Sequence, residues 1–68
     1  MKTIIVAKTK HEAKRISSDY DGTIITVSPH SIGAIQGLRS DRIIFDKSVV
    51  GNGLTTEMID SLLATMLL

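Results

Sequence analysis

Residues 3–7 read Thr-Ile-Ile-Val-Ala, a β-branched run in which polar and apolar positions do not alternate. Such a run suits a strand covered on both faces, the kind found inside a parallel sheet with helices packed above and below it. Two later runs repeat the signal: Thr-Ile-Ile-Thr-Val at 23–27 and Arg-Ile-Ile-Phe-Asp at 42–46. A chain of 68 residues has room for one small α/β domain over residues 1–68, and no boundary or repeat divides it.

The segments between the runs carry helix signals. Thr9 and Glu12 have capping-box spacing, and Ala13, Ile16 and Tyr20 then fall on one helical face. Asp21 and Gly22 signal a turn. Ser28 places a capping hydroxyl ahead of Pro29, the residue favoured at a first helical position. Ile32, Ile35 and Leu38 are spaced for one face of a short second helix. Gly33 and Gly37 weaken that helix by up to ~1 kcal/mol each, or else let it lie close to the sheet. Residues 48–50 either extend the third strand or form a short one of their own, and Gly51, Asn52 and Gly53 then break the chain. Thr55 or Thr56 begins a last helix with Glu57 in its first turn, where the helix dipole favours an acid. Ile59, Leu62, Leu63, Met66 and Leu67 make a wide apolar stripe along it. The pattern predicts a small three-layer, Rossmann-like (P-loop-like) α/β domain: a mainly parallel three-stranded sheet in the order 2-1-3, with three helices.

Composition says how such a fold must be held. Aromatics are 3% of the chain, Tyr20 and Phe45, so the core is aliphatic. There is no cysteine to form a disulfide or a thiolate metal site. Stability then comes from compact packing, a bound ligand or self-association. The formal net charge of +1 argues against a partner recognised through its phosphate backbone. The run at 3–7 is too short for a signal sequence or a membrane span, and Lys8 and Lys10 follow it, so a soluble cytoplasmic protein is expected.

In open parallel sheets, ligands bind beyond the carboxyl ends of the strands. Three segments should meet there, contributing Lys8, Thr9 and Lys10, then Ser28, Pro29, His30 and Ser31, then Asp46, Lys47 and Ser48. With two helix N-termini aimed the same way, these residues form a candidate seat for a phosphate or carboxylate. The plainer alternative is that Thr9 and Ser28 cap helices and the lysines are solvated. Ser28 or Ser31 with His30 and Asp46 has the composition of a catalytic triad, but adjacent residues at a helix start do not orient as nucleophile and base. His11 and His30 begin different helices and lack the paired spacing of metal ligands. None of the five glycines precedes a Lys-Thr or Lys-Ser pair, so a Walker A loop is absent. Neither an enzyme nor a cofactor is expected.

Residues 4–13, Ile-Ile-Val-Ala-Lys-Thr-Lys-His-Glu-Ala, resemble motif Ia of superfamily-two helicases. Residues 25–30 are similar to the later helicase strand that ends in a Thr-Pro pair, and residues 38–46 resemble the approach to the Walker B acid. The same stretch, with 57–66 behind it, also looks like the Walker B region of phage terminase large subunits. In size and layout the chain is similar to small uncharacterised proteins encoded by phages of actinobacteria. The resemblance implies that Asp46 takes the place of the magnesium-holding acid, yet Lys47 stands where the family has a second acid. A lysine puts positive charge where the family activates water, so the resemblance implies the shape of an ATPase core without its chemistry.

Three functions follow as expectations. The first is a non-catalytic phage-type protein that works by protein–protein contact with itself or with a host or phage partner, through Ile59, Leu62, Leu63, Met66 and Leu67. The second is a binder of a small phosphorylated or nucleotide ligand at the strand ends. The third, a nucleic-acid accessory drawing on Lys8, Lys10, Arg39 and Arg42, is disfavoured by the near-zero net charge and scarce aromatics.

Overall fold

The computed structural model describes every residue except Gln36, Asn52 and Leu68. The three β-branched runs form strands β1 (Lys2–Val6), β2 (Thr23–Val27) and β3 (Arg42–Phe45). They pair in parallel in the order β2-β1-β3, with Ile4 opposite both Ile25 and Ile43. The first strand in sequence therefore lies in the middle, and residues 3–7 are all fully buried. Absence of alternation in the sequence is the direct cause: β1 has no solvent face to supply.

Alternation reappears as a division between two cores. Ile4 and Val6 point to one side with Val27, Ile35, Val49 and Leu62; Ile5 and Ala7 point to the other with Ala13. The second side is covered by helix α1 (Lys10–Ser17), whose Ala13 is enclosed and whose Ile16 packs with Tyr20, Ile24 and Ile44 around it. Thr9 caps α1 by accepting the Glu12 N–H at 3.1 Å. The Glu12 carboxylate meets the Arg15 guanidinium one turn on, at 3.4 Å.

At the next turn Gly22 has φ +92° and lies so close to the N-terminus that a Cβ would come within 2.7 Å of the Met1 carbonyl oxygen. That oxygen accepts the Thr23 N–H at 3.1 Å, which starts β2 beside β1. Only glycine combines the left-handed conformation with that close approach.

The first side of the sheet is covered differently from expectation. Two α-helices are present among the described residues, and the predicted second helix is a kinked 3₁₀ segment, Pro29–Ile35, with Ser31 at φ −116° and ψ 16°. The spacing of Ile32, Ile35 and Leu38 is a strict three, which aligns side chains on a helix with three residues per turn. Close packing of the glycines is not the reason for them: Gly33 has open space around its Cα, and Gly37, at φ +79°, turns the chain after the segment ends. Residues 48–50 do not join the sheet either. They form a turn, closed by Val49 N–H to Asp46 C=O at 3.1 Å, that drives Val49 into the core and leaves Val50 66% exposed. In the glycine-rich break that follows, Gly51 and Gly53 have positive φ, and Asn52 lies outside the described residues.

Helix α2 (Thr56–Ala64) completes this side, capped by Thr55, whose hydroxyl accepts the Met58 N–H at 3.2 Å. Leu62 is its fully enclosed side chain. Beyond its end, Thr65 is buried and donates its hydroxyl proton to the Leu62 carbonyl at 2.6 Å. With that proton committed, the Ser40 hydroxyl is the donor in the 2.7 Å contact between Ser40 Oγ and Thr65 Oγ1. Ser40 N–H also donates to the Thr65 carbonyl at 2.9 Å, so the end of α2 is tied to the loop that leads into β3. No helix among the described residues is long and apolar enough to cross a membrane.

Candidate functional site

The parallel sheet brings the expected residues to one end of the molecule but sorts them into separate groups. Lys8, Thr9 and His30 line one cavity of about 300 Å³, together with Pro29, Gly53 and Met58. Lys10 follows at the exposed start of α1. Ser28 and Ser31 face each other: Ser28 N–H donates to Ser31 Oγ at 3.0 Å, and the two hydroxyls are 3.3 Å apart. Their polar groups close the first turn of the 3₁₀ segment, a local use that serine side chains commonly have.

Asp46 and Lys47 lie beyond β3, where Ser48 connects two strand ends. Lys8 N–H donates to Ser48 Oγ at 3.2 Å, and Ser48 N–H donates to Asp46 Oδ2, also at 3.2 Å. The Ser48 hydroxyl, then its backbone N–H, holds the Asp46 carboxyl below the ordinary carboxylate range, and Lys47 adds to the effect. This bridge occupies the crevice between the ends of β1 and β3, where the connections that leave these two strands turn to opposite faces of the sheet and ligands of open sheets usually sit. At the opposite end, Asp41 accepts the Lys2 N–H at 2.8 Å, and that bond likewise lowers its carboxyl pKa. No three metal-ligating side chains gather among the described residues.

The stripe on α2 divides as well. Leu62 belongs to the core, because its position faces the sheet, so its place in the proposed contact surface is corrected. Ile59 is half-buried, whereas Leu63 is 47%, Met66 46% and Leu67 86% exposed. Ile59 also lines a groove of about 360 Å³ with Phe45, Val50, Gly51 and Leu54. Ile59 and Leu63 are one helical turn apart, so an apolar shelf runs from the groove along α2 toward Leu67. Sequence reading missed Phe45, Val50 and Leu54 as members of it. An aromatic residue ending a strand next to a Val-Val turn was the available signal.

On the α1 side of β3, Arg42 Nε donates to Thr3 Oγ1 at 3.3 Å, and its guanidinium lies 5.1 Å from the centre of the Tyr20 ring. The cation thereby shields a fully buried Thr3 at the edge of α1's coverage. Comparison with protein families, curated proteins and solved structures finds no match to this chain.

Proposed function

We propose that this chain is a non-catalytic protein that works by protein–protein contact and associates with further copies of itself. The observation that carries the reading is the exposed apolar shelf of Phe45, Val50, Leu63, Met66 and Leu67. A domain this small needs its large aliphatic side chains inside, yet the core is already closed on this side by Leu62 and Val49. Apolar side chains left together outside a finished core are characteristic of contact surfaces. Sedimentation velocity from micromolar to millimolar protein tests the reading. A species heavier than the 7.4 kDa chain supports it, and a monomer throughout the range refutes it.

A second reading rests on the cavity that gathers Lys8, Thr9 and His30. It would take a small phosphorylated or nucleotide ligand, held by the side chains of Lys8 and His30 and the N-terminus of α1. A thermal-shift panel of nucleotides and inorganic phosphate decides it: ligand at a hundred times Kd stabilises by about 2.7 kcal/mol, and a flat panel removes the reading.

In the same spirit the layout is read as a reduced Rossmann-like (P-loop-like) unit, related to the helicase and terminase cores of phage type but without their phosphate loop. The parallel 2-1-3 order supports this, as do the positions of residues 4–13 on β1 and α1 and of Asp46 just past β3.

A further inference from the structure

The sheet has two edges, and they differ. The exposed large apolar side chains include Phe45 at the end of β3 and Val50 just after it, and none on β2. Asp46 N–H donates to Val6 C=O, which fixes the direction of the backbone groups along β3. Even-numbered residues turn their N–H and C=O toward β1, so Ile43 and Phe45 turn theirs outward. Edges of this kind are normally protected by charge, proline or a covering loop.

We propose that a second copy of this chain pairs with β3 edge to edge, antiparallel, with Ile44 opposite Ile44 on the two-fold axis. The inference rests on self-association and names its geometry. Three consequences of the pairing select the register. Ile43 and Phe45 of opposite copies become reciprocal partners, which satisfies all of the outward backbone groups of both residues. Arg42 of each copy stands opposite Asp46 of the other, so that a guanidinium resting on Thr3 and the Tyr20 ring and a carboxylate held by Ser48 lie on one face of the junction, opposite in charge, at both ends of the ladder. The side chain of Ile43 meets that of Phe45 across the junction, a β-branched and aromatic pair on the face of the apolar shelf. A shift that sets Ile43 opposite Ile43 would put Phe45 against Asp41 and Arg42 against Ile44, losing the charge pairing. The shelf of Val50, Leu54, Ile59 and Leu63 flanks the junction and supplies area beyond the strand itself.

The absence of cysteine makes a direct test simple. Residues facing each other in a non-hydrogen-bonded antiparallel pair have Cα atoms about 4.5 Å apart, within disulfide range. Under mild oxidation, Ile44→Cys should run at twice the mass of the chain and revert with reductant, while Thr26→Cys on the other edge stays monomeric on the same gel. Independently, Phe45→Pro removes an outward N–H that the monomer's own sheet does not use, and should shift the native protein to monomer more completely than Phe45→Ala does. A wild-type oligomer in which Ile44→Cys stays uncross-linked and Phe45→Pro still associates overturns the edge pairing and leaves self-association standing. A wild-type chain that sediments only as monomer removes both.

Discussion

The tie between Ser40 and Thr65 gives the sharpest energetic test of the fold. Replacing Thr65 with Val keeps its shape but removes the acceptor for the Ser40 hydroxyl, which is buried with only 3% of the residue exposed. A buried hydroxyl stripped of its partner costs about 1–3 kcal/mol, and the lost bond to the Leu62 carbonyl falls within the same range. Replacing Ser40 with Ala leaves Thr65 bonded to Leu62, so only one hydrogen bond is lost, about 0.5–1.5 kcal/mol. In the double variant neither hydroxyl is stranded. Its loss should fall short of the sum of the single losses by about 1 kcal/mol, because the residues share one contact. Total stability for a chain of this length is roughly 3–10 kcal/mol, so each step is resolvable by urea unfolding. Protein concentration must be held fixed across the four proteins, since association with further copies adds stability by mass action. Losses that add to within about 0.3 kcal/mol would show that the two hydroxyls are not energetically coupled, refuting the geometry.

Other outcomes follow from single features. Gly22→Ala meets both a positive φ and the Met1 carbonyl, and should lower stability by about 2 kcal/mol or more in thermal melting. Gly33→Ala, with open space around it and φ outside the left-handed region, should be neutral or raise stability by about 0.4–1 kcal/mol in the same assay. Asp41 and Asp46 have folded pKa values below the ordinary 3.8, so their contribution is present above that pH and is lost as pH falls through the lowered values. Acid unfolding below about pH 4 should therefore flatten in Asp46→Asn, and an unchanged acid limb would count against the Ser48 contact. Leu63→Glu, which sits outside the core, should reduce the sedimentation mass while leaving the monomer's circular dichroism spectrum intact.

The strands and the starts of both α-helices were legible because their causes are local, though the choice of Thr55 over Thr56 as the second cap came from the structure. β-branched runs needing cover on both faces read as strands of a helix-covered parallel sheet, and Thr9 and Thr55 each precede by three residues the N–H they accept. The middle segment was misread because Ser-Pro and a three-residue apolar spacing suit a 3₁₀ turn as well as an α-helix, and Ser31 bonding back to Ser28 kinks it. Val49, Ser40 and Thr65 were invisible as core members, since their burial depends on where the loops before and after β3 cross the sheet. The same holds at the strand ends. That Lys8 and His30 share a cavity while Ser48 bridges the neighbouring crevice is a tertiary outcome, carried by residues far apart in the chain.

The central position of β1 has a kinetic consequence. The strand at the start of the chain has no partner within its own neighbourhood: β2 comes only after a helix, and β3 only after a second connection. No hairpin can form early and hold part of the sheet, so loop entropy is spent before any ladder bond is gained. The chain should therefore fold more slowly than helical bundles of its length, and its most apolar strand stays uncovered until the last of its neighbours arrives.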